Sequence, residues 1–125
     1  MRVVVDTSVV IDYLRRKDKE NCLFARLRGV VDMVISFITV TELYSGKSSR
    51  NPKGMKLIEE IIASCETKLV GLEDAAKVGE IRRDYQLSLG DCFVAQLAMN
   101  EKLPLATLDK KAFAKIIGIK LWETP

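Results

Sequence analysis

The chain has 125 residues, 48% of them hydrophobic and 30% charged, with a net charge of +3 and no histidine. This is the composition of a globular domain of ordinary size, and no apolar run reaches the roughly 18 residues that cross a bilayer. Without imidazole, His-ligated zinc, Ser-His-Asp triads and histidine acid–base ribonuclease chemistry are all excluded, so a hydrolase built on this chain is expected to work through carboxylates.

Arg2–Val5 reads as a short buried strand, β-branched and ending abruptly at Asp6. Val9, Val10, Ile11, Tyr13 and Leu14 favour a helix next, because a tight reversal would need glycine or asparagine. Cys22–Leu27 makes a second helical stripe closed by Gly29, Met33–Ile35 a strand, and Thr39–Ser45 a helix stopped by Gly46. The stretch "GKSSRNPKG" has loop composition, and Met55–Cys65 has helical spacing with Leu57, Ile58, Ile61 and Ile62 on one face. Lys68–Leu72 reads as a strand, Asp74–Tyr85 and Asp91–Asn100 as helices, Leu105–Thr107 as a strand, Lys110–Ile117 as a helix and Lys120–Trp122 as a last short strand. Strands alternating with helices in this way predict a single α/β domain over residues 1–125, with a mainly parallel sheet of about five short strands flanked by helices. Ligands of such sheets bind at the C-terminal strand edge.

The three cysteines, Cys22, Cys65 and Cys92, form no C-x-x-C pair and read as small core residues. Met1-Arg2-Val3 enters a strand-like run and not a signal segment, which predicts a cytoplasmic protein with no membrane association. Basic residues cluster at Arg15, Arg16, Lys17 and Lys19 and again at Lys47, Arg50, Lys53 and Lys56. Such clusters suit a polyanion, although a solvated helix face is the more frequent explanation of any one of them.

Four carboxylates fall at informative joints: Asp6 after the first strand, Glu42 in "TVTEL", Asp91 at the head of "DCFVAQLA" and Asp109 in "ATLDKK". Each has an ordinary alternative. Asp6, Asp91 and Asp109 can cap the helices they precede, and Glu42 stands at capping-box distance from Thr39. Taken jointly, four acids on one sheet edge repel each other unless a cation lies between them. Oxygen-only ligands favour Mg²⁺ or Mn²⁺, and that donor set suits metal-assisted phosphodiester hydrolysis.

The segments "VVVDTSVVIDYL", "SFITVTELYSG", "LSLGDCFVAQLAMNEKLPLATLDKKAF" and "IGIKLW", in this order over nearly the whole chain, resemble the PIN-domain nucleases, and more narrowly the small stand-alone toxins of the VapC type. The family pattern is a strand ending in D-T/S-S/N, an A/T-E-L segment, a D-x-x-I/V-A helix and a final T-x-D/N. The resemblance puts Asp6, Glu42, Asp91 and Asp109 at its acidic positions and Ser8 and Thr107 at the hydroxyl positions beside the metal. It implies Mg²⁺- or Mn²⁺-dependent cleavage of RNA, leaving a 5′-phosphate and a 3′-hydroxyl. Asp6 and Asp91 are then direct ligands, Glu42 a ligand through water or an orienter of the attacking water, and Asp109 the completion of the negative cradle. It also implies a homodimer and a cognate antitoxin lying along the active groove; Val9–Leu14, Cys22–Leu27 and Leu57–Ile62 are candidate groove residues, although core is the more frequent place for most of them. Arg15, Arg16, Lys17, Lys47, Arg50 and Lys53 become candidates for holding the RNA backbone.

This chain departs from the pattern where Ala112 precedes Phe113 in place of an acid, and where Cys92 and Phe93 follow Asp91 in place of a second acid. The departures leave the four-acid set intact and bear on a second bound metal. Three other readings stay open: a PIN-like binding module, a PIN nuclease of RNA processing, and a phosphoacceptor receiver domain. The receiver reading needs an acid pair after the first strand, where this chain has one acid.

Overall fold

Three consecutive valines, Val3, Val4 and Val5, are wholly buried, and that is possible only for a strand covered on both faces. The computed structural model describes residues 1–124. Its elements are β1 (Arg2–Val5), α1 (Thr7–Arg15), α2 (Leu23–Leu27), β2 (Asp32–Ser36), α3 (Phe37–Ser45), α4 (Pro52–Ala63), β3 (Glu66–Lys68), α5 (Ala75–Tyr85), α6 (Leu89–Glu101), β4 (Leu105–Ala106) and α7 (Lys110–Ala114). Short 3-10 turns at Lys19–Asn21, Lys47–Arg50 and Leu72–Asp74 join them.

The sheet order is β3-β2-β1-β4, and every pairing is parallel. Val3 pairs with Met33 and Val4 with both Val34 and Leu105. Side chains alternate across the sheet as period-2 geometry requires. Val3, Val5, Met33 and Ile35 pack with Val9, Tyr13, Phe24, Leu27, Ile58 and Ile61 from the helices of the N-terminal half. Val4 and Val34 face the other way, onto Val78, Ile81, Leu97 and Phe113 from α5, α6 and α7. The segment Lys120–Trp122, expected as a fifth strand, touches the sheet through one parallel bridge between Leu105 and Leu121.

Two expectations are corrected. The third strand is Glu66–Lys68 and not Lys68–Leu72; Leu69 and Leu72 beyond it are exposed, and Leu72 belongs to a 3-10 turn. The segment GKSSRNPKG is not a bare loop. It holds a 3-10 turn and then the first turn of α4, where Asn51 Oδ1 accepts from Gly54 N at 2.7 Å and Pro52 opens the helix. A Cβ at Gly54 would stand 2.0 Å from the Ser48 carbonyl oxygen, so glycine is what lets α4 close onto that turn.

The order β3-β2-β1-β4 also locates the ligand edge. From β1 the chain builds outward to β2 and β3 on one side, then returns to place β4 on the other. The crevice beyond the C-terminal ends of β1 and β4 is therefore the switch point where open α/β sheets receive ligands. Asp6 follows β1 directly, and Thr107 and Asp109 follow β4. No helix among the described residues is long and apolar enough to cross a membrane.

Candidate functional site

Asp6 sits at the N-cap position of α1, yet its side chain makes no capping bond. It turns instead across the switch point. Oδ2 accepts from Ser8 Oγ at 2.7 Å and from Thr107 Oγ1 at 2.8 Å. Asp6 is only 2% exposed, and its Oδ1 is buried without a hydrogen-bond partner among the described residues. The two hydroxyls also tie the loops together: Thr107 Oγ1 accepts from Asp109 N at 3.0 Å, and Ser8 Oγ accepts from Leu108 N at 3.2 Å. The β1 and β4 exits are thus sewn into one rigid edge.

Glu42 lies inside α3, whose cap is Ser36, the acceptor for Ile38 N. Its Oε1 accepts from Thr7 Oγ1 at 2.9 Å. Having donated there, Thr7 accepts from Thr39 Oγ1 at 2.8 Å, so two buried threonines aim one carboxylate. On its other side Glu42 rests against the start of α6, where a Cβ on Gly90 would lie 3.1 Å from Oε2. Asp91 occupies the first turn of α6, again not as its cap. Ser88 is the cap, accepting from Asp91 N at 3.2 Å. Asp109 is exposed at the head of α7, and its side chain makes no capping bond either.

These acids share one electrostatic field. The Asp91 carboxyl is pushed above the usual carboxylate range first by burial and then by the charge of Asp6, with Asp109 and Glu42 adding to it and the Ser88 contact opposing. Among the described residues no group of three or more acidic or thiol side chains stands close enough together to hold a metal ion as placed. The donor set nevertheless fits a hard divalent cation. It is all oxygen, it is mutually repulsive, and it leaves Asp6 Oδ1 buried with nothing to bind, a group that costs free energy unless a cation or donor meets it.

The basic candidates divide. Arg15 at the end of α1 and Lys47 in the 3-10 turn are exposed and line one pocket with Glu42. Arg16 is held by Asp12 at 3.3 Å and by the Asn21 carbonyl at 3.1 Å. Lys17, Arg50 and Lys53 are exposed and stand outside that pocket. Of the apolar candidate groove residues, Val9, Val10, Tyr13, Cys22, Phe24, Leu27, Ile58 and Ile61 are core, leaving Ile11, Leu14, Leu23, Ala25, Leu57 and Ile62 partly exposed. Thr7, Thr39, Ser88 and Gly90 were not singled out by sequence reasoning as parts of this edge. The signal for Thr7 was its place inside "DTS"; Thr39 carried the same spacing to Glu42 that reads as a capping box.

Three comparisons bear on this site. Ribonuclease VapC1 of Methanocaldococcus jannaschii is 26% identical over 98% of this chain and 88% of the relative. The DNA-bound VapBC structure from Salmonella typhimurium matches with a TM-score of 0.78 at 22% identity, covering 98% of this chain and 97% of that one. A toxin-antitoxin complex from Klebsiella pneumoniae matches at 0.71 with 24% identity over 94% of each chain. The PIN domain model matches residues 3–118, a span that takes in the exit of β1, the helix of Glu42, the head of α6 and the exit of β4, and the chain belongs to the PIN domain family.

Proposed function

We propose that this protein is an endoribonuclease dependent on Mg²⁺ or Mn²⁺, the VapC-type toxin of a toxin–antitoxin pair. The observation that carries the reading is the Oδ1 of Asp6, buried without a hydrogen-bond partner among the described residues, beside an Asp91 carboxyl on which the charges of Asp6, Asp109 and Glu42 all act. The relationship to Ribonuclease VapC1 supports the substrate class. Asp6 and Asp91 would hold the ion directly, Glu42 through water, and Asp109 would complete the negative cradle.

When bound, such an ion would supply a Lewis acid for the phosphoryl oxygen and would lower the pKa of water. The rest belongs to the chain. Ser8 and Thr107 fix the rotamer of Asp6 by donating to its Oδ2. Thr7 and Thr39 hold Glu42 where it can orient the water that adds to phosphorus. Departure of the 3′ oxygen leaves a 5′-phosphate and a 3′-hydroxyl, and no 2′-hydroxyl attack is needed, in keeping with a chain without histidine. Arg15, Lys17, Lys47, Arg50 and Lys53 are exposed cations for the RNA backbone.

The partners belong to the same reading: a cognate antitoxin that covers the acid cradle, and a second copy of the chain. Leu69 and Leu72, 71% and 90% exposed beyond the edge strand β3, offer apolar surface for such contacts. The test is cleavage of end-labelled single-stranded RNA with Mg²⁺, Mn²⁺ or EDTA, beside folded Asp6→Asn and Asp91→Asn variants. Metal-dependent cleavage lost in both variants is the expected result. Cleavage that survives both, or no cleavage with any metal from antitoxin-free protein, refutes the reading.

A further inference from the structure

Beside Glu42 the structure contains a pocket of about 160 Å³ whose walls are Ile11 and Leu14 of α1 and Leu43 of α3. Arg15 and Lys47, both exposed, border it, and Glu42 itself forms one side. The pocket is thus continuous with the acidic cradle through a shared side chain.

Its size limits what can enter. An apolar cavity of about 150 Å³ takes up a benzene ring, whereas pockets for drug-sized ligands begin at roughly 300 Å³. One six-membered ring fills this volume, whereas a fused bicyclic ring would protrude from the open mouth of the pocket. The walls are aliphatic and suited to the faces of a flat ring, and two cations at the border favour a ligand that brings phosphates on either side of that ring. We propose that this pocket receives one unstacked pyrimidine base of single-stranded RNA, next to the phosphate to be cut, and that Ile11 and Leu14 set a preference for pyrimidine over purine at that position. The proposal rests on the ribonuclease reading and adds to it a base-selective subsite. Single-stranded RNA is the form whose bases can be splayed out in this way.

The experiment compares oligouridine, oligocytidine and oligoadenosine of equal length, binding the full chain in EDTA by fluorescence anisotropy, with cleavage rates in Mg²⁺ as a second readout. The pyrimidine oligomers should bind roughly tenfold more tightly than oligoadenosine, the discrimination a small apolar pocket provides. Leu14→Phe, which fills the pocket, should bring them to the adenosine level. Ile11→Phe fills it from the neighbouring turn of α1 and serves the same purpose where Leu14→Phe melts early. Equal binding and cleavage of all three oligomers by the unsubstituted protein overturns the subsite while leaving the ribonuclease reading standing. A preference that persists in both folded variants overturns it too, as does a preference that persists while self-association is lost, which would assign the pocket to an apolar side chain of a second copy. No binding and no cleavage of any RNA removes the ribonuclease reading and the subsite together.

Discussion

An Asp6→Asn substitution keeps the shape of the side chain and removes its charge, and the surroundings of that side chain fix the sign of the change in stability. The asparagine carbonyl can take the place of Oδ2 and accept from Ser8 and Thr107. Those bonds weaken from charged to neutral acceptors, a loss of about 1 kcal/mol each. Against this, the buried Oδ1 has no hydrogen-bond partner among the described residues. A buried carboxylate with one oxygen unmet costs several kcal/mol, whereas a neutral amide left unpaired in its place costs about 1–3 kcal/mol. Asp91 gains as well, since the charge of Asp6 is the largest charge effect on it. The weakened bonds offset most of that relief, and with the gain at Asp91 the net expectation is a small stabilisation of the metal-free protein, about 1 kcal/mol, or a rise in melting temperature of roughly 3–6 °C for a chain of this size.

The assay is thermal unfolding by circular dichroism, in EDTA and then in Mg²⁺. At ten times its Kd, Mg²⁺ should stabilise the unsubstituted protein by about 1.4 kcal/mol through mass action and the variant by much less, so that the order of stability narrows or inverts. A variant that melts below the unsubstituted protein in EDTA refutes the reasoning. So does Mg²⁺ that raises both by the same amount.

Thr107→Val removes the donor to Asp6 Oδ2 and the acceptor of Asp109 N; unfolding should show a loss of about 1–3 kcal/mol, and RNA cleavage should fall by at least about tenfold, with Thr107→Ser restoring most of both. Gly90→Ala places a methyl 3.1 Å from the Glu42 carboxylate; stability should hold or rise by up to about 1 kcal/mol from reduced chain entropy, while cleavage drops as Glu42 is displaced. Glu66 is held below its usual range first by the hydrogen bond from Arg2. Its contribution is therefore present above the unfolded value of about 4.3 and lost as pH falls through the lower folded value, so the melting-temperature gap between the unsubstituted protein and Glu66→Gln should be open at neutral pH and close in acid.

The parts of this fold that were legible in the sequence are those governed by burial on both sides. Arg2–Val5 is a β-branched run with no polar interruption, and it is β1 residue for residue. The edge strand was misplaced for the complementary reason. β3 pairs with β2 through its backbone on one side only, so its own residues, Glu66, Thr67 and Lys68, need not be apolar, and the apolar Leu69–Leu72 run just beyond attracted the assignment. The start of α4 was readable from Asn51-Pro52, a cap followed by proline at the first helical position, but the surrounding Gly, Ser and Lys composition outweighed it. At the candidate site, sequence placed all four acids on the strand-exit edge without separating capping from other roles. That separation depends on Ser36 and Ser88 capping α3 and α6 and on Thr7 and Thr39 meeting across 32 residues of chain. Contacts of that kind leave no local spacing to read.

The Lys19 ammonium donates to three backbone carbonyls, those of Tyr13 at 2.7 Å, Leu14 at 3.0 Å and Arg16 at 2.8 Å, and so closes the C-terminal end of α1. With Arg16 engaged by Asp12 and the Asn21 carbonyl, half of the cationic run from Arg15 to Lys19 is occupied by the protein itself. Among the described residues, Arg15 and Lys17 are the members left without such a partner. Binding of single-stranded RNA to this face should therefore release counterions for two charges and not four, a logarithmic salt slope of about −1.4 in place of about −2.8. In a salt titration, this face will look less ionic than its sequence.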